Sequence, residues 1–190
     1  MTGDLKSKNT TTVSIVFYKG NGNFRDRLIR VWTKSPYSHT EFGRSDGFYH
    51  SNDRFALVSR LDSLEISQEE WEVFEITLPS EIVKRIERRQ IRKNGTTYDW
   101  VGILFSQLFR LGWHDKKRWF CSKSNADDLH YAYALMSRSK NPEFVPYLRL
   151  LEPIKPHEPH RVSPHDLYCI VETMEKNNTS FCSKKNNTSA

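Results

Sequence analysis

The chain opens on a polar, Thr-rich stretch, residues 1–11, with no periodicity; it reads as disordered. Apolar and β-branched positions then crowd together in Thr12–Tyr18 (TVSIVFY), the pattern of a buried strand. Gly20-Asn21-Gly22-Asn23 is a loop. Phe24–Trp32 follows as a short helix, with Leu28, Ile29, Val31 and Trp32 on its apolar side and Arg25, Arg27 and Arg30 left wet. Ser35-Pro36-Tyr37 breaks that helix. A short strand, Ser38–Phe42, places His39, Glu41 and Gly43 on one face and Thr40 and Phe42 on the other. Ser45-Asp46-Gly47 is a hairpin signal, so Phe48–Ser51 returns antiparallel. Phe55–Leu61 and the clearly alternating Trp71–Leu78 are further strands.

Helical spacing takes over after Pro79. Glu81–Arg92 buries Ile82, Val83, Ile86 and Ile91, turns a basic face outward, has Ser80 as its N-cap and stops at Asn94-Gly95. Tyr98–Leu111 is a more apolar helix. A third runs from Asn125 to about Ser137, directly behind Arg118-Trp119-Phe120-Cys121-Ser122. Asn141–His160 carries five of the chain's eight prolines and no strong period, so it reads as an irregular insertion. Ser163-Pro164 is a good helix start, and Asp166–Glu175 is the last helix; residues 177–190 read as a polar tail. Strands gathered early and helices late give an α+β layout, a small antiparallel sheet packed on helices, in one domain over residues 12–176.

Composition narrows this picture in three ways. The hydrophobic share is only 37%, but 13% of residues are aromatic, so the core is expected to lean on Phe, Tyr and Trp. The formal charge of +6 permits an acidic partner or nucleic acid, and Lys84, Arg85, Arg88, Arg89 and Arg92 gather part of it on one helix. Three cysteines without regular spacing argue against a disulfide framework, and no CxxC pair suggests zinc. His157, Glu158 and His160 lie in a segment with no fixed scaffold, so no metal or other cofactor is expected. No apolar run reaches the ~18 residues of a membrane span, and no secretory signal opens the chain. A cytoplasmic protein is the expectation.

The chemistry converges on Cys121. An extended segment turning into a helix puts this thiol near a helix N-terminus, where free N–H groups and the helix dipole favour the nucleophilic thiolate. Arg118 and Lys123 add positive charge. An isolated cysteine is as a rule a small buried hydrophobe, so the reading needs a base. His39 supplies one, at a strand start between two hydroxyl neighbours. The group that would orient its imidazole is open at this level. Glu41 shares its strand face. His50 and Ser51 lie on the returning strand, and only one of them can share that face.

Pro36-Tyr37-Ser38-His39-Thr40-Glu41-Phe42, the Asp46-Gly47 turn, Tyr98-Asp99-Trp100-Val101-Gly102 and Trp119-Phe120-Cys121-Ser122 together resemble the circularly permuted papain-like branch of the NlpC/P60 superfamily. That branch includes YiiX-like bacterial proteins, lecithin:retinol acyltransferase-like proteins and small tailed-phage proteins. The phage members look closest, through Phe17-Tyr18-Lys19-Gly20, Leu28–Thr33 and Ser163–Tyr168. The resemblance covers roughly residues 13–170. It implies Cys121 as nucleophile, His39 as base and a third polar residue on the following strand, at the position that is Ser51 here. Serine orients an imidazole poorly, which leaves Glu41 and His50 in play, and Lys123 stands where many relatives carry an acid. The implied activity is that of a cysteine peptidase, amidase or acyltransferase working through an acyl-enzyme, in a host cytoplasm or a virion if the chain is phage-encoded. The alternative is a non-catalytic papain-like module that binds through its basic helix.

Overall fold

A computed structural model describes residues 9–44, 49–53, 56–60, 67–95 and 121–187. Five strands, β1 (Thr10–Tyr18), β2 (His39–Arg44), β3 (Tyr49–Asp53), β4 (Ala56–Arg60) and β5 (Trp71–Pro79), form one antiparallel sheet in the order β4-β3-β2-β1-β5. Helix α1 (Phe24–Thr33) joins β1 to β2, and α2 (Ser80–Lys93) follows β5 without a break. Three more helices, α3 (Cys121–Ser139), α4 (Val145–Leu151) and α5 (Pro164–Asn187), complete the described part. The architecture is α+β, as the segregation of strands and helices predicts. Among the described residues no helix is long and apolar enough to cross a membrane.

Alternation along the strands decides which face is covered. Val13, Ile15 and Phe17 of β1 register with Ile76 and Phe74 of β5 and with Phe42 of β2, so these side chains share one face. Against it pack Ile82, Val83 and Ile86 of α2, Ala126, Leu129, Ala132 and Met136 of α3, and Leu167, Ile170, Val171 and Met174 of α5. The other face carries His39, Glu41 and Gly43 of β2 with Tyr18 and Trp71. An aromatic knot closes the core near that end: Tyr37 stacks on Tyr168 at 4.4 Å, and Phe17 meets both edge-on. Both phenols reach Glu72, Tyr37 at 2.6 Å and Tyr168 at 3.3 Å.

Several boundaries differ from the sequence reading. Thr10 and Thr11, expected in a disordered arm, pair with Pro79 and Leu78. Ser80 is the first residue of α2 rather than its cap; its hydroxyl bonds Thr11 and its N–H bonds the Asn9 carbonyl. The 141–160 insertion is not irregular. It folds as 3-10 turns Pro142–Phe144, Glu152–Ile154 and Pro159–Arg161 around α4, with Phe144, Leu151 and Ile154 fully buried. Four of its five prolines, Pro142, Pro146, Pro153 and Pro159, sit in first turns, where a missing N–H costs nothing. Helix α5 runs on to Asn187, through most of the expected tail, because no Gly or Pro follows Pro164 to stop it. The expected start of α5 holds: Ser163 and Asp166 exchange backbone N–H to side-chain bonds at 3.1 and 2.9 Å, a reciprocal cap. The helix expected at Tyr98–Leu111, the Asp46-Gly47 turn and the Arg118–Phe120 approach lie outside the described residues.

Candidate active site

Cys121 is the first described residue of α3 and is 4% exposed. Its sulfur accepts backbone N–H bonds from Ser122 and from Thr40 of β2. In a helix interior the Ser122 N–H would be committed to a carbonyl four residues back; in a first turn it is free for the thiol. His39 hydrogen-bonds the same sulfur. Its Nε2 lies 3.1 Å from Oε1 of Glu41, which leaves Nδ1 for Cys121. Glu41 is buried, while the His39 side chain keeps 20% of its surface, so the imidazole is the member of the pair that solvent reaches. Trp71 stands edge-on to the ring at 6.2 Å.

Burial by itself would push this pair toward its neutral form. The partners outweigh it. The Cys121 hydrogen bond and charge, then those of Glu41, lift the His39 imidazole to about 10. The imidazole in turn, with the Thr40 and Ser122 N–H groups, holds the Cys121 thiol below its ordinary value. The geometry suits a thiolate–imidazolium pair with a carboxylate behind it.

Two further contacts hold the thiol's helix against the sheet. Asn125, one turn after Cys121, donates from Nδ2 to the Thr40 hydroxyl at 3.2 Å, with both residues buried. This ties the helix to the strand residue whose N–H serves the sulfur. Farther along, Asp128 is fully buried and meets Lys93 of α2 at 2.7 Å and Gln90 at 3.0 Å, while Lys93 also reaches Ser124 at 3.4 Å. Burial raises the Asp128 carboxyl despite the pull of Lys93. Arg89 closes the cluster on Asp127 at 2.6 Å and lies over the Tyr131 ring.

The structure thus brings together Cys121, His39 and Glu41. His50 pairs with Phe42, so its register position belongs to the face away from Glu41; Ser51, one residue on, falls on the Glu41 face. The basic face of α2 is narrower than its sequence suggests. Arg85 is tied to Glu81 at 3.1 Å and Arg89 to Asp127, so Lys84, Arg88 and Arg92 form the exposed part. The sequence reading gives Ser122, Thr40 and Asn125 no part in the site. The first two act through backbone N–H groups, which no residue type announces. Asn125 could have been found, since it lies four residues after Cys121 on the same helix side. Among the described residues no group of three or more His, Cys, Asp or Glu side chains is arranged to hold a metal ion.

Comparison with protein-family models, with curated proteins and with solved structures finds no match for this chain.

Proposed function

We propose that this protein is a cysteine hydrolase or acyltransferase of permuted papain-like type. The observation that carries the reading is the hydrogen-bonded Cys121–His39 pair, with Glu41 on the second imidazole nitrogen and two backbone N–H groups at the sulfur. The Cys121 thiolate attacks the carbonyl carbon of an amide, ester or thioester. Free N–H groups in the first turn of α3 stabilise the oxyanion. The intermediate collapses, the His39 imidazolium gives its proton to the leaving amine, alcohol or thiol, and a Cys121 thioester remains. Water or an amine then attacks that thioester, His39 takes the incoming proton, and the thiolate is released. Glu41 holds the ring and offsets the imidazolium charge. A phage-type origin, with action in a host cytoplasm or a virion, is part of the same reading.

Intact-mass spectrometry after mixing the protein with activated esters, acyl thioesters and peptide amides tests it. A mass increase equal to the acyl group, located at Cys121 and absent in Cys121→Ala, is the expected outcome. If no acyl class modifies Cys121 while the folded protein is intact, the hydrolase reading fails.

One observation favours a second reading, a binding module. Lys84, Arg88 and Arg92 stand exposed at one-turn intervals along α2, a ladder that an acidic partner or a phosphate backbone would match. That reading predicts a salt-sensitive affinity that Cys121→Ala leaves intact.

A further inference from the structure

Helix α1 is amphipathic, yet it is mounted the wrong way round for a helix that serves a core. Phe24 is 78% exposed, Val31 77% and Leu28 45%. Their spacing, three and four residues, gathers them within an arc of about 60° on the helix surface. The polar side faces the protein instead. Arg30 spreads its guanidinium over the carbonyls of Lys19, Gly20 and Asn21, and Asp26 exchanges bonds with Asn23 at the helix start. Ser35 N–H closes on the Arg30 carbonyl at 3.0 Å, across Lys34 in the left-handed region at φ 50°, which fixes the C-terminal turn. The other exposed large apolar residues, Val73, Ile91 and Val145, each stand alone on different elements, as single surface residues commonly do. Among the described residues only α1 collects three on one face.

The charges beside this stripe on the helix surface and at its C-terminal end are cationic, while the acids of the region, Asp26 and Glu70, sit at the preceding loop. Arg27, beside Val31 and Phe24 on the helix surface, is exposed, and so are Lys34 at the C-terminal end and Lys19 in the preceding loop. The acid of the helix, Asp26, is turned to the loop and occupied there. We propose that α1 docks this protein on an anionic lipid surface, with Phe24, Leu28 and Val31 seated at the acyl boundary and Arg27 and Lys34 among the headgroups. A narrow apolar ridge with cationic flanks suits a helix lying in that interface. This inference does not rest on the Cys121–His39 reading.

Flotation of the full chain with phosphatidylcholine vesicles, with and without phosphatidylglycerol, tests the proposal. Binding to the mixed vesicles only, weakened by added salt, is expected. The double variant Phe24→Ser, Val31→Ser is expected to lose tenfold or more of the bound fraction, and Arg27→Glu a smaller share, with unchanged circular dichroism; Cys121→Ala binds as wild type. Lack of flotation with the mixed vesicles overturns the proposal, as does retention of binding by the double variant. Self-association in lipid-free light scattering that the double variant abolishes would assign the face to a second copy of the chain and overturn it too.

Discussion

The molecule contains the same two side chains side by side twice, with opposite outcomes. Cys121 and His39 meet where α3 begins against β2, and the thiol is held low. Cys169 and His165 stand on α5, four residues apart, with Sγ and Nε2 at 3.9 Å, and the Cys169 thiol is raised. Burial opposes ionisation at both. What differs is everything else that faces the sulfur. At Cys121 the neighbours are an imidazole backed by Glu41 and two N–H donors. At Cys169 they are the carboxylates of Asp166 and Glu172, only partly offset by the residue's own backbone and by Lys176. A Cys–His contact therefore makes a nucleophile only when donors and cations surround it.

The largest expected effect comes from loosening one member of the comparison and sparing the other. Lys93→Met leaves Asp128 buried without its closest cation, and Arg89 at 3.4 Å compensates in part. Chemical denaturation should show a loss of about 3 kcal/mol. Cys121 should then become accessible to a thiol reagent in mild denaturant before Cys169 changes.

His39→Ala removes the cation from the better site. The thiolate of the wild-type pair forms as pH rises through the lowered thiol value, below that of a free cysteine. In the variant the burial penalty remains and the thiol value moves above that of wild type. Iodoacetamide labelling of Cys121 near neutral pH should fall by more than about tenfold, read by mass spectrometry, with Cys169 unchanged. An unchanged Cys121 profile would remove the distinction between the two sites. Where both thiolate and imidazolium are needed, turnover should rise through the lowered Cys121 value and fall again as His39 loses its proton near about 10.

Glu41→Gln tests the third member. The amide still accepts from Nε2 but brings no charge, so the imidazole value should drop and the alkaline limb should move to lower pH, with acylation slowed by roughly fivefold. Ser51→Ala should leave that limb in place. The smallest expected change is at the other cysteine: Glu172→Gln should lower the Cys169 thiol and raise its labelling at neutral pH by roughly twofold.

Much of the fold was legible because its signals are local. Trp71–Pro79 alternates and is a strand, Ile82, Val83 and Ile86 mark the buried side of α2, and Ser163-Pro164 opens α5 where the capping residues say it should. The misreadings are local too. Pro142, Pro146, Pro153 and Pro159 read as irregular chain because their number hides their positions in first turns. The sequence puts Arg89 on the outward basic face of α2, because helical periodicity shows the side a residue occupies but not that Asp127 of another helix stands opposite.

The same division runs through the candidate site. Sequence by itself determined that Cys121 lies near the start of a helix and that His39 and Glu41 share a strand face, since both follow from local pattern and backbone period. Only the tertiary structure decided that the strand and the helix meet, that Thr40 and Ser122 aim N–H groups at the sulfur, and that Glu41 stands at the imidazole. The physical reason is that a thiol's ionisation answers to charges and donors within a few ångströms. Those neighbours come from segments far apart in the chain, and folding alone sets their distances.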